Sequence, residues 1–104
     1  MTYDVFRYIL TAMIRSFKDD AARKLFETGF CKRWASIQVV ACRKLDQLET
    51  AANLSDLRFP PGNQLEALKR DRAGQHSIRI NDQYRICFIW KEDGAHDVEI
   101  ADYH

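Results

Sequence analysis

The stretch YRICFIWKEDGAHDVEI, residues 84–100, predicts the β-hairpin around which the fold is built. Its first part is apolar at nearly every position apart from Arg85, as expected of a strand that is covered on both faces. Asp93-Gly94 is a hairpin turn signal. Val98 and Ile100 then alternate with polar residues, which predicts a last strand with these two side chains facing inward. The second half of the chain therefore reads as an antiparallel sheet.

Two more strands precede this hairpin. QHSIRIN, residues 75–81, alternates between apolar and polar positions, and LEAL, residues 65–68, can form a short strand. The run Pro60-Pro61-Gly62 cannot continue a helix, so it separates the strand half from a helical half.

The first half predicts a short strand, MIRSF at residues 13–17, and then two helices. Asp19 or Asp20 can cap the first helix, and Gly29 ends it. The second helix is predicted over residues 34–52 from an apolar stripe at spacings of three and four. That stripe consists of Ile37, Ala41, Leu45, Leu48 and Ala52. The order predicts an α+β fold, with two N-terminal helices packed on a small, mainly antiparallel sheet.

Length and charge limit the classes of function. The 104 residues suit one domain, which we assign to residues 13–104, with residues 1–12 as an N-terminal extension of unknown role. With 30% charged residues and a net charge of +1, the chain is expected to be soluble and is not basic as a whole. Any nucleic-acid site must therefore come from local segregation of charge. No apolar run approaches the roughly 20 residues of a membrane span, so we expect no membrane association.

Cysteine usage points to a reducing compartment. Cys31, Cys42 and Cys87 are odd in number, widely spaced and form no CxxC motif. This pattern argues against a secreted disulfide scaffold and favours the cytoplasm, with the thiols as small buried hydrophobic groups.

Positive charge is concentrated in residues 58–85, which contain six basic and three acidic residues. The basic residues are Arg58, Lys69, Arg70, Arg72, Arg79 and Arg85. Arg79 and Arg85 lie on neighbouring predicted strands joined by a tight turn, so their side chains can project from one sheet face. Guanidinium groups match phosphate oxygens, which favours a polyanion-binding face. A solvated face with a few ion pairs is the alternative.

The last three residues are Asp102, Tyr103 and His104, and each has a side chain that can gain or lose a proton. An imidazole with a pKa of about 6.5 can act as an acid or a base at neutral pH. Regular strand alternation would put Tyr103 and His104 on opposite faces, unless the strand end bends. A frayed terminus is the alternative. The histidines show no zinc-site spacing, so no metal is expected.

The ordered set of motifs resembles the HigB family of bacterial toxins, part of the RelE-like group of toxin–antitoxin proteins. The resemblance is carried by FPPGNQLEALKRDRAGQHSIRINDQYRICFIW at residues 59–90 and DVEIADYH at residues 97–104. MIRSF, ARKLFETG and RKLDQLETAANLSDLR also match, so it covers about residues 13–104. It is closest to the GraT-type members.

This resemblance implies a RelE-like fold that carries a ribosome-dependent mRNA endonuclease site. Such toxins cut mRNA in the ribosomal A site without metal or cofactor, by attack of the 2′-hydroxyl on the adjacent phosphate. His104 is then the general acid or base, Tyr103 orients a base or phosphate, and Asp102 orients His104. Arg85 stabilises the charge developing on the phosphate. The family's basic loop falls on Lys69 and Arg72. Together with Arg70 and Arg79 of the same basic segment, these are the predicted RNA-binding residues.

Glu66 stands where some HigB toxins carry histidine, while GraT-type members also have glutamate. Two roles stay open for Glu66. It can serve as general base for the 2′-hydroxyl, or it can repel phosphate and leave a slow enzyme.

The resemblance also implies partners. A HigA-type helix-turn-helix antitoxin would bind the chain, and operator DNA would be bound only through that antitoxin. The other partners would be the ribosome and its mRNA. Two alternatives use the same scaffold: a non-catalytic ParE-like inhibitor of DNA gyrase, and a degenerate toxin kept as a binding or regulatory module.

Overall fold

A computed structural model of the chain describes residues 13–102. Its strands and helices are β1 (Met13–Ile14), α1 (Asp20–Thr28), α2 (Gln38–Thr50), β2 (Glu66–Ala67), β3 (His76–Arg79), β4 (Tyr84–Lys91) and β5 (Gly94–Asp102). Short 3₁₀ turns connect them at Lys32–Trp34, Leu54–Arg58, Pro61–Asn63 and Arg70–Arg72. The predicted α+β order is confirmed. The predicted N-terminal extension and the candidate residues Tyr103 and His104 lie outside the described residues.

The sheet has the strand order β1-β5-β4-β3-β2, so the predicted central strand, β4, lies in the middle. Neighbours from β2 to β5 pair antiparallel, while β1 runs parallel to β5. The sheet is therefore mainly antiparallel, as predicted. The predicted first strand is too long, because only Met13–Ile14 pairs regularly and Phe17 makes an isolated bridge to Val98.

Helix α1 has the predicted ends. The Asp19 carboxylate accepts a hydrogen bond from the Ala22 backbone N–H at 2.6 Å. Gly29 adopts the left-handed conformation that closes the helix, with φ of 79°. Ala22 and Leu25 are completely buried against the sheet and α2.

Helix α2 is shorter than the predicted 34–52. The chain before it forms a 3₁₀ turn, and after Thr50 the backbone becomes extended at Ala51. At this point Ala51 is buried and Ala52 is exposed. The prediction that Ala52 faces the core is therefore wrong. Lys44, predicted to lie off the apolar stripe, is only 8% exposed.

The main core lies between the helices and one face of the sheet, where Ile78, Ile86 and Val98 are completely buried. Burial of each such side chain contributes roughly 1.5–3 kcal/mol. A small second cluster forms on the other face from Leu68, Cys87 and Ala101. Within residues 13–102, no helix is long and apolar enough to cross a membrane.

Candidate active site

The sheet face turned away from the helices carries most of the candidate residues, and we call it the outer face. It is formed by Ser77, Arg79, Arg85, Cys87, Glu99 and Ala101, which alternate with core residues along β3, β4 and β5. The strand register places Arg79 directly opposite Arg85, and Cys87 directly opposite both Ser77 and Glu99. Sequence reasoning thus placed Arg79 and Arg85 on one face correctly.

Arg85 is held in one orientation rather than projecting into solvent, since the residue is only 7% exposed. Its Nε donates to Ser77 Oγ at 2.7 Å, and its Nη2 donates to the Gln64 carbonyl at 2.6 Å. Nη2 also reaches the Ser77 carbonyl at 3.4 Å. Ser77 and Gln64 were absent from the sequence prediction, and a backbone carbonyl such as that of Gln64 leaves no residue-type signal.

Glu66 lies beside this buried cation. Its Oε1 is 3.6 Å from Arg85 Nε, and half of the Glu66 side chain remains exposed. The register of β2 places Glu66 opposite Ser77, the residue that binds Arg85. The structure therefore joins two predicted site residues, an accessible carboxylate and a fixed guanidinium.

A polar groove of about 490 Å³ runs along one side of Arg85. It is lined by Gln64, Arg79, Asn81, Asp82 and Arg85. Arg79 forms an ion pair with Asp82, whose own side chain is almost fully exposed. An exposed carboxylate is a weak competitor for a guanidinium, so Arg79 can exchange it for a phosphate.

The predicted basic loop lines a second groove, of about 410 Å³, that extends from Glu66 to Arg72. Lys69 and Arg70 are exposed in this loop. Glu66 lies at the junction, because it borders this groove and contacts Arg85 of the other one.

Arg72 is bound to the outer face through a carboxylate that sequence reasoning missed. Its Nη1 donates to Glu99 Oε2 at 3.1 Å, and Lys18 Nζ lies 3.3 Å from the same oxygen. Alternation with inward Val98 and Ile100 was the signal that could have placed Glu99 on this face. Lys18 gave no such signal.

Asp102 lies at the end of β5, opposite Tyr84 in the register. Tyr84 packs edge-on against Trp34 on the helix side, so strand alternation places Asp102 on the face opposite Arg85. The Asp102 carboxylate accepts a hydrogen bond from Gln83 Nε2 at 3.1 Å. The structure does not bring Asp102 to Arg85, and the predicted roles of Tyr103 and His104 stay predictions.

The thiols of Cys42 and Cys87 are not activated as nucleophiles. The pKa of the Cys87 thiol is raised, mainly by burial, and the opposing charges of Arg72 and Arg85 offset only part of this effect. Burial, followed by the Asp46 carboxylate, raises the pKa of Cys42. All three thiols are free, and Cys31 is buried like Cys87. Across residues 13–102, no group of three or more histidine, cysteine or acidic side chains is arranged to hold a metal ion.

Comparison with known proteins gives a family match over residues 15–104, to the model described as RelE-like toxin of type II toxin-antitoxin system HigB. The chain is 41% identical over 85 residues to Toxin HigB-1 of Vibrio cholerae serotype O1, covering 80% of this chain and 90% of that protein. It is 31% identical over 93 residues to Endoribonuclease HigB of Proteus vulgaris, covering 88% of this chain and 100% of that protein.

Among solved structures, the fold is similar to a chain of the YoeB-YefM complex from Staphylococcus aureus. The TM-score is 0.52 at 16% identity, and the match covers 89% of this chain and 99% of that chain. At this identity the likeness shows the fold alone, and it confirms the predicted RelE-like arrangement.

Proposed function

The chain belongs to the HigB-like family of type II toxins, and from this premise we propose that it is an endoribonuclease that cuts mRNA on the translating ribosome. The name of its Proteus vulgaris relative supports the endoribonuclease activity. The single observation that carries the proposal is the pairing of the half-exposed Glu66 carboxylate with the fixed guanidinium of Arg85.

The reaction needs a base, a cation and an acid. The base removes the proton of a 2′-hydroxyl, whose oxygen then attacks the adjacent phosphate and breaks the bond to the 5′-oxygen. In our proposal Glu66 takes that proton. Arg85 stabilises the charge that develops on the phosphate oxygens, and its hydrogen bonds to Ser77 and Gln64 fix it before substrate arrives.

The leaving 5′-oxygen needs a proton, and we assign its donor to His104. The products are then a 2′,3′-cyclic phosphate and a 5′-hydroxyl, and the cyclic phosphate can open to a 3′-phosphate. In this proposal Tyr103 stacks on a nucleobase of the RNA or binds a phosphate group. Asp102, which is bonded to Gln83, orients the end of the chain that carries His104.

RNA binding is assigned to the two grooves beside Glu66. Arg79 and the loop cations Lys69, Arg70 and Arg72 supply the contacts to phosphate. The net charge of the chain is only +1, so its intrinsic affinity for RNA is expected to be weak. The ribosome then supplies the positioning of the substrate.

The partners follow from the family. A toxin of a type II system implies an antitoxin, and a solved structural neighbour is a chain of a two-protein assembly, the YoeB-YefM complex. We propose that the antitoxin is a HigA-type helix-turn-helix protein, through which alone the chain meets operator DNA. The ribosome and mRNA place its action in the cytoplasm.

Induction of the chain in growing bacteria, followed by mapping of new mRNA 5′ ends, tests this function. We expect cuts inside translated reading frames, lost in Arg85→Ala and retained in Lys24→Met, which removes an exposed cation of α1. Growth arrest with DNA breaks and without mRNA cuts would instead indicate a gyrase inhibitor.

A further inference from the structure

A lysine and an asparagine are buried together between α2 and the turns that follow it. Lys44 is 8% exposed and Asn63 is completely buried. Lys44 Nζ donates to Asn63 Oδ1 at 2.6 Å. Burial, together with the charges of Arg43 and Arg79, lowers the pKa of Lys44. A buried ammonium is unfavourable unless its hydrogen bonds compensate, so this pair needs an explanation.

The Asn63 amide nitrogen fixes the turns around it. It faces three acceptors: Gln47 Oε1 at 2.9 Å and the carbonyls of Leu57 and Phe59, each at 3.1 Å. Because Lys44 occupies the amide oxygen, the amide nitrogen must point to these acceptors. The pair therefore ties the irregular segment 54–63 to α2.

The residue after Asn63 contacts the active site. Gln64 adopts the left-handed conformation, with φ of 46°, which a non-glycine residue adopts only when its surroundings hold it there. Its carbonyl accepts the 2.6 Å hydrogen bond from Arg85 Nη2. The direction of that carbonyl follows from the conformation that the turn imposes.

We propose that Lys44 and Asn63 are positioning residues for the Arg85 guanidinium, acting through the Gln64 carbonyl. The inference rests on the proposed function, because it assigns Arg85 to the reacting phosphate. The contacts of Lys44 and Asn63 are to the protein interior, so the two residues act through the backbone and touch no substrate. A purely structural role would instead stabilise the turn and leave Arg85 where it is.

Kinetics on programmed ribosomes separate these roles. We expect Lys44→Met to lower kcat on the order of tenfold, with KM changed by less than about twofold, since a small misplacement of a catalytic group is costly. In an Arg85→Lys background, Lys44→Met should cause little further loss, because the guanidinium that it positions is gone. Losses that multiply in the double variant would overturn the proposal. Lys24→Met is the matched control.

A second readout does not depend on activity. In the wild type, the Arg85 Nε–H is bonded to Ser77 and should give a protected NMR resonance. Lys44→Met should shift this resonance and speed its exchange with water. Gln47→Ala, which removes only one acceptor of the Asn63 amide, is the milder variant and should act in the same direction. An unshifted Arg85 resonance in either folded variant would overturn the inference.

The two readouts distinguish the failures. If the wild type cuts no mRNA on ribosomes, the proposed function is wrong, while the resonance still reports whether Lys44 positions Arg85. If the wild type cuts mRNA and the resonance stays unshifted, the function stands and the positioning role is wrong.

Discussion

Glu66 Oε1 lies 3.6 Å from Arg85 Nε across the edge of the sheet, with the carboxylate half exposed and the arginine nearly buried. The exposed carboxylate can accept a proton from a bound 2′-hydroxyl while the guanidinium binds the adjacent phosphate. The same carboxylate can also repel that phosphate. The two roles predict opposite effects of removing its charge.

Replacement of Glu66 by glutamine keeps its size and removes the base. If Glu66 takes the proton, kcat on programmed ribosomes should fall by roughly 10²–10⁴-fold with KM nearly unchanged. Single-turnover cleavage of a defined mRNA measures this. A rise of kcat/KM through a lower KM would show that Glu66 only repels the phosphate.

Glu99→Gln should strengthen RNA binding. Glu99 neutralises Lys18 and Arg72, which lie 3.3 Å and 3.1 Å from the same carboxylate oxygen. With this carboxylate removed, we expect affinity for single-stranded RNA to rise several-fold and the salt dependence to steepen by up to about one phosphate contact. Fluorescence anisotropy at two salt concentrations tests this. Asp46→Asn, an exposed change on α2 with the same change in net charge, should bind like the wild type.

Gly94→Ala should destabilise the fold. A Cβ at Gly94 would lie 1.9 Å from the Met13 carbonyl oxygen, and its φ of 127° disfavours other residues. The added Cβ would meet backbone atoms of β1, so neither strand can move away without losing the pairing of β1 with β5. We expect a loss of roughly 2 kcal/mol or more in the free energy of unfolding, measured with urea. Gly62→Ala, whose Cβ meets nothing within 4 Å, should change stability far less.

The contact between Asp93 and His96 in the central hairpin should make the stability of the fold depend on pH in the acid range. The hydrogen bond from His96, at 2.7 Å, lowers the pKa of Asp93, and the Arg15 charge adds to this. A carboxyl whose pKa is lowered in the folded state stabilises the protein at pH values above its unfolded pKa of about 3.9. This stabilisation is lost as the pH falls below that value and through the lower pKa of the folded state.

Asp93→Asn should therefore flatten the decline of Tm between about pH 5 and pH 3. The effect is small, because Asp93 is exposed. Parallel declines in the wild type and the variant would contradict the assignment.

Strand alternation made most of the sheet predictable from sequence. The apolar run of β4 and the inward Val98 and Ile100 of β5 gave the central hairpin, while β1, β2 and β3 are each shorter than the predicted strands. The same alternation could have shown that Asp102 shares a face with Ile100 rather than with Arg85.

Other features had no local signal. The Gln64 carbonyl that holds Arg85 is a backbone group, and Lys18 meets Glu99 from the far end of the chain. Lys44 was assigned to the polar side because of its charge, and its buried partner, Asn63, lies in an irregular turn that gives no sign of the contact. Such contacts depend on how distant segments pack, which residue spacing does not encode.

The most direct test of the central claim is the chemistry of the RNA ends that the purified chain leaves on ribosome-bound mRNA. We predict cuts within the reading frame that carry a 5′-hydroxyl and a 2′,3′-cyclic or 3′-phosphate, that need the ribosome, and that disappear in Arg85→Ala and His104→Ala. Intact mRNA, equal cutting of naked RNA, or ends that carry a 5′-phosphate would contradict it.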